Sequence, residues 1–256
     1  RNGVLSSGTL AWLYSMTSRR MERGLMDRDD WADVVKILPI RDIPKKALDR
    51  EVPCWQEWMD HENMDEYWDR ANWEAHADKI NVPTLYVSGW FDDVGTGSSQ
   101  AWMMNRRMQR PNQRMILGPW KHQFNVSRDI HDIDYGVPAV RYDLFYQYIR
   151  WFDRHLKGVD NGAENDEKVE YYVIGSNQWA TSCDWPPKES ALVPYYISGG
   201  GNANTRLGDG VLADTRPGAQ EPTDHYLFDP NNPAPHLIDM RENECMVPEN
   251  YKDMEL

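Results

Sequence analysis

Cysteine is nearly absent, with three in 256 residues. Cys54, Cys183 and Cys245 have no close spacing of the kind that builds a zinc site or a redox pair. So odd and sparse a set suits a reducing compartment, and a cytoplasmic location is the expectation. Basic residues are in deficit, 28 against 41 acidic, for a net charge of −13. That balance argues against a nucleic-acid partner, because little is left to neutralise phosphates. An acidic field keeps a protein soluble and can draw cations toward a cleft. No apolar run is long enough to span a membrane as a helix, so no membrane partner is expected. Phenylalanine is scarce at 5 residues, while Trp reaches 12 and Tyr 13. These rings combine an apolar body with one polar handle, which suits packing foremost and binding surfaces second.

The most informative stretch runs from Asn81 to His122. Thr84 to Val87 is β-branched and aromatic, bounded by Pro83 and Gly89, and reads as a short buried strand. Arg114 to Leu117 is a second such run, stopped by Gly118-Pro119. Between them Ser98 to Arg110 carries Ala101, Trp102, Met104, Arg107 and Met108 at helical spacing, ended by Pro111. Strand, helix, strand places Asp92 and His122 just past the carboxyl ends of two strands, where open parallel sheets build their sites. An Asp followed by a His 30 residues on (122 − 92) matches the order of the last two members of an α/β-hydrolase triad.

The flanks supply elements rather than chemistry. Ser7 to Met21, Asp30 to Leu38 (Trp31, Val34, Val35 and Leu38 on one face) and Trp55 to Trp68 predict short helices. Asp42-Ile43-Pro44 reads as a turn between them. A lid over an α/β core is the preferred reading, and an independent helical domain the alternative. Pro138 to Gly158 predicts a helix whose stripe of Val140, Leu144, Phe145, Tyr148, Trp151, Phe152, His155 and Leu156 packs on the sheet. Residues 160–168 are polar and read as a linker, after which Val169–Ile174, Leu192–Ile197 and Thr223–Phe228 predict strands of an all-β segment. His61 and His76 read as structural or solvated. His131, Asp132 and Asp134 lack the further ligands a metal needs, so neither metal nor cofactor is expected.

The wording of the turns narrows the reading. Gly-Trp-Phe-Asp at 89–92 and Leu-Gly-Pro-Trp-Lys-His at 117–122 resemble the acid and histidine turns of the cocaine-esterase and X-prolyl dipeptidyl-peptidase family, to which α-amino-acid ester hydrolases also belong. Trp55-Gln56-Glu57-Trp58 and Tyr67-Trp68 look like that family's helical cap, and Phe152 to Gly158 like the end of its last hydrolase helix. Val173 to Trp179, Asp184 to Pro187 and Tyr226 to Pro230 resemble parts of its C-terminal β-sandwich. The resemblance covers about Trp55 to Pro235. It implies that Asp92 is the triad acid and His122 the triad base, acting on a small-molecule ester or amide or a short peptide.

The family's serine sits in a Gly-x-Ser-x-Gly elbow, and these 256 residues hold none. Ser6-Ser7-Gly8 and Gly97-Ser98-Ser99 lack the flanking pattern and the preceding strand. The expectation is a fragment whose nucleophile precedes Arg1, inactive by itself. Its organisation would be a helical cap at 1–80, part of an α/β-hydrolase domain at 81–158, a linker at 159–168 and an incomplete jelly-roll sandwich at 169–256. Oligomeric state is left open. The alternative function is a non-catalytic module whose aromatic surface holds carbohydrate or a protein partner.

Overall fold

A computed structural model describes residue 13 and residues 30–92, 95–122, 125–130, 133–229 and 231. Its α-helices are α1 (Trp31–Val34), α2 (Ile43–Leu48), α3 (Pro53–Asp60), α4 (Glu66–Asp69), α5 (Thr96–Arg107) and α6 (Leu144–Lys157). Its strands are β1 (Thr84–Gly89), β2 (Gln113–Gly118), β3 (Asp129–Ile130), β4 (Ile133–Asp134), β5 (Val169–Val173), β6 (Gln178–Ser182), β7 (Tyr196–Ser198) and β8 (Val211–Ala213). The expected helix at 7–21 lies outside the described residues, apart from Leu13, which is helical and buried.

The main sheet has the order β1-β2-β5-β6. β1 and β2 run parallel, in register from Thr84↔Gln113 to Gly89↔Gly118, with α5 as the crossover. All six residues of β2 are buried, as a strand with both faces covered requires. Its side chains alternate between two layers. Met115 and Leu117 pack with Trp102 of α5 and Val169, and Ile116 packs with Trp120 and Leu144 of α6.

The described chain divides between Trp185 and Pro186, and this corrects the expected boundary. Residue 169 was to open the sandwich. Instead β5 runs parallel to β2 in the hydrolase sheet (Met115↔Val169 to Leu117↔Tyr171), and β6 closes the sheet antiparallel to it. The open side of β2 explains this, since the Met115 N–H donates to the Lys168 carbonyl at 2.8 Å and a buried donor needs such a partner. The polar stretch before β5 is not a free linker either. Its Asp166 accepts from Arg150 at 2.5 Å and lies 3.2 Å from Arg114 Nη1.

In the N-terminal helical region, Leu13, Val34, Ile43, Val52 and Trp55 form one buried cluster, with Trp58 and Met59 against it. The expected turn at 42–44 proves to be the start of α2, with Pro44 in its first turn, where a missing N–H costs nothing. Of the stripe proposed over 30–38, Val34 is buried but Leu38 is exposed. His61 is partly exposed, with its Nδ1 2.5 Å from Asp65 Oδ2 and its ring stacked on Tyr67. That hydrogen bond holds the Asp65 carboxyl below the usual carboxylate range.

Helix α6 ends at Gly158 as expected but departs from expectation at its start and across its face. It starts at Leu144, because Asn125 and Asp143 claim the backbone and guanidinium of Arg141 and keep residue 140 extended. It stops at Gly158, whose φ of 71° suits a residue without Cβ. Leu144 and Trp151 are buried, but Phe145, Ile149, Phe152 and Leu156 are exposed, as are Tyr142 and Tyr146 beside them. Three of the eight stripe residues, Phe145, Phe152 and Leu156, therefore face outward.

Polar bonds fix the inner face. Arg114, 5% exposed on β2, is held by Glu170 of β5, by Asp166 and by Gln147 of α6 (2.9 Å). Arg141 donates to both Asp143 oxygens at 2.7 Å and to Glu170 at 2.8 Å, over the ring of Trp179. Three arginines (with Arg150) face three carboxylates, so the group is neutral and each charge is paired, as burial demands.

β7 and β8 form a separate antiparallel pair, Tyr196↔Ala213 to Ser198↔Val211, which fits a segment of a sandwich. Its loops are tied by side chains: Ala203 N–H donates to Asp224 at 2.6 Å, and Asn204 to the His225 carbonyl at 2.6 Å. No described helix is long and apolar enough to cross a membrane.

The Arg141 pair sets an acid limit. Arg141 holds the Asp143 carboxyl down to about 2 from an ordinary 3.8. A depressed folded-state value gives stability that is whole above the unfolded value and lost as pH falls through the folded one. Asp143→Asn should therefore melt below the native protein at pH 7, and the gap should close between about pH 4 and pH 2. Thermal melts across that range check it.

Candidate active site

Asp92 and His122 stand at the ends of adjacent parallel strands, and the ladder between those strands does not stop where the strands do. The Trp90 N–H donates to the Gly118 carbonyl at 2.9 Å and the Phe91 N–H to the Trp120 carbonyl at 3.1 Å. The Asp92 N–H then closes a tight turn onto the Gly89 carbonyl at 3.2 Å. Each turn is therefore built on the other.

Two glycines permit this approach. A Cβ on Gly89 would lie 1.9 Å from the Trp120 carbonyl oxygen, and one on Gly118 would lie 2.2 Å from the Trp120 ring. Trp120 is 2% exposed and donates its Nε1–H to the Ala139 carbonyl at 2.6 Å. On the other turn, Trp90 donates to the Tyr172 carbonyl of β5 at 2.8 Å. Both tryptophans thus spend their polar handles on fixing backbone.

The outcome is a paired carboxylate and imidazole. His122 Nδ1 lies 3.2 Å from Asp92 Oδ1, within hydrogen-bond reach. The Asp92 side chain is only 9% exposed and that of His122 is 44% exposed. A nearly buried carboxylate therefore stands behind an imidazole that reaches solvent. With Nδ1 turned to Asp92, Nε2 is the ring nitrogen directed away from that carboxylate.

Other sequence candidates fall out differently. His131 and Asp132 lie outside the described residues, as do Ser6 and Ser7. Ser98 and Ser99 fall in the first turns of α5, and the Ser99 hydroxyl donates back to the Thr96 carbonyl at 3.1 Å. That is an intrahelical bond, unlike the exposed strand-to-helix turn of a nucleophile elbow. Among the described residues no group of three or more His, Cys, Asp or Glu could hold a metal. Sequence reading passed over Asn125, whose φ of 63° marks a position that favours Asn. It also passed over Arg114, a charge inside an apolar run, which signals a buried partner.

The architecture is part of an α/β-hydrolase: a mixed sheet flanked by helices, with a β1–α5–β2 unit delivering Asp and His to one rim. Its fold matches the crystal structure of an aminopeptidase from the marine sediment archaeon Thaumarchaeota archaeon. The TM-score is 0.70 at 19% identity, over 96% of this chain and 39% of that one. The profile of the X-Pro dipeptidyl-peptidase (S15) family matches residues 1–123, which include both turns. Cocaine esterase of Rhodococcus sp. (strain MB1 Bresler) is 30% identical over 213 residues, 82% of this chain and 36% of the esterase. Over most of its length the chain is thus similar to X-Pro dipeptidyl-peptidase-like and cocaine-esterase proteins. It spans about a third of the length of cocaine esterase.

The glycine contacts make a direct test. Gly89→Ala and Gly118→Ala should each destabilise the protein by about 1–3 kcal/mol, as overpacking of a closed site does. Gly97→Ala, in α5 with no atom within 4 Å of a new Cβ, should be neutral or stabilising. Denaturant titration of the three variants checks the contrast.

Proposed function

We propose that this chain carries the acid and the base of a serine acyl hydrolase, with Asp92 as the acid and His122 as the base. The observation that carries the reading is the 3.2 Å approach of His122 Nδ1 to Asp92 Oδ1 at neighbouring strand ends. The carboxylate would hold the imidazole in the Nδ1–H tautomer and stabilise the imidazolium that forms. Nε2 would take the proton from a serine hydroxyl as it attacks an acyl carbon, then return it to the leaving alcohol or amine. Asp92 is suited to this by burial, and His122 by exposure on the side of an incoming substrate.

The serine would come from sequence outside residues 1–256. These residues contain no Gly-x-Ser-x-Gly, and one oxyanion donor is ordinarily the N–H just after the serine. The substrate class is an ester, an amide or a short peptide. The names of cocaine esterase, the X-Pro dipeptidyl-peptidases and the archaeal aminopeptidase span that range. The runner-up, a module that binds through aromatic surface, gives no reason for a buried carboxylate to be aimed at an exposed imidazole.

The test compares two polypeptides on an activated aryl ester and an aminoacyl amide. The 256-residue chain should show no turnover, with or without His122→Ala. A longer polypeptide that includes an upstream Gly-x-Ser-x-Gly should turn over, and Asp92→Asn should lower its kcat by about 10⁴-fold through the wrong tautomer. Turnover by the 256-residue chain that is blocked by a serine-directed phosphonate and lost in His122→Ala would sink the missing-serine reading. Ser6, Ser7, Ser98 and Ser99 would then be the candidates.

A further inference from the structure

We propose that Asn125 is a positioning residue for His122, acting as one end of a two-point strap that ties the histidine turn to the segment Ala139–Arg141. The inference rests on His122 being the base, and it concerns how so exposed a side chain keeps one orientation. A catalytic imidazole must be held within about 0.5 Å of its working position. A ring 44% open to solvent, at the tip of a turn, has little packing to hold it there.

The strap has two ends, one on each side of His122. On the N-terminal side, the Trp120 indole N–H donates to the Ala139 carbonyl at 2.6 Å. On the C-terminal side, the Asn125 amide makes a reciprocal pair with one residue. Its Nδ2 donates to the Arg141 carbonyl at 2.8 Å, and its Oδ1 accepts from the Arg141 N–H at 2.6 Å. Asn125 takes a left-handed φ of 63°, a conformation that Asn tolerates better than other residues with a Cβ. Both its amide groups and its backbone are thus used for this one bridge.

The anchor itself is fixed from behind. The Arg141 guanidinium is bound to both oxygens of Asp143 and to Glu170 of β5, and lies 4.7 Å from the Trp179 ring centroid. Trp179 donates in turn to the Pro138 carbonyl at 2.7 Å. The segment to which the histidine turn is strapped is therefore tied to β5 and β6, two and three strands along the sheet from β1, which carries Asp92. Asp92 is set by β1 and His122 by β2 together with this anchor, so the strap brings the two side chains into one frame.

Long-range ¹H–¹⁵N spectra of the histidine rings in the 256-residue chain at neutral pH test this without needing turnover, with His122 identified by its loss in His122→Gln. The native protein should show His122 as a single Nδ1–H tautomer. Asn125→Ala should turn this into a tautomer mixture, while His61 and His155 keep their native signals. Asn125→Asp, which keeps acceptance from the Arg141 N–H but loses donation to its carbonyl, should lie between the two. Val126→Ala, one residue on and 74% exposed, should match the native protein. If Asp92→Asn scrambles the tautomer and Asn125→Ala does not, the strap is wrong and the Asp92–His122 pair stands. If Asp92→Asn leaves His122 as in the native protein, the pair itself fails, and the strap with it. Should Asn125→Ala not fold, the Asn125→Asp spectrum decides alone, and a native His122 signal in it overturns the proposal.

Discussion

Everything about the site depends on two backbone hydrogen bonds made after the strands have ended, from Trp90 to Gly118 and from Phe91 to Trp120. They carry the register of β1 against β2 into the turns. Asp92 and His122 then inherit their separation from the sheet, rather than from the side chains' own preferences. A parallel pair spaces its residues evenly, so the geometry is as firm as the buried strand β2 beneath it. That firmness requires the turns to lie almost in contact, which is why Gly89 and Gly118 face Trp120 with no room for a side chain.

The sheet has an unusual filling. β2 reads as a buried apolar strand, yet Arg114 sits within it and draws Glu170, Asp166 and Gln147 inward. A charge so placed is costly unless every partner is present, and breaking such a group by removing one member is far worse than never having built it. What it secures is arrangement. β5, α6 and the stretch between them all present carboxylates or amides to arginines, so those elements have only one way to lie against β2.

How much was legible from sequence follows from the range of each interaction. The turns at 89–92 and 117–122 were readable because local residues build them: apolar runs, stop signals, and glycines where backbones meet. Helix α5 was placed within a few residues for the same reason, by Trp102 and Met104 at helical spacing. β5 was misassigned to the sandwich because its parallel pairing with β2 joins residues more than fifty apart in the chain, and nothing in Val169–Val173 announces which sheet it will enter. The start of α6 was misplaced by a similar long reach, since Asn125 decides the conformation at Arg141. The stripe on α6 was seen but not its direction, because apolar residues wide enough to serve two faces do not say which one faces the sheet.

The outward face of α6 has a colloidal consequence. From Tyr142 to Leu156 the exposed residues of α6 and its approach are Tyr142, Phe145, Tyr146, Ile149, Phe152 and Leu156, without a charge among them. These 256 residues carry −13, so copies of this chain repel one another at distances where the patch exerts no pull. The repulsion reaches about 10 Å at 0.1 M salt and shrinks to about 3 Å at 1 M. Apolar attraction is not screened in this way. Dilute buffer therefore favours separation between copies of this chain, and concentrated salt removes that opposition to contact between the exposed helix faces.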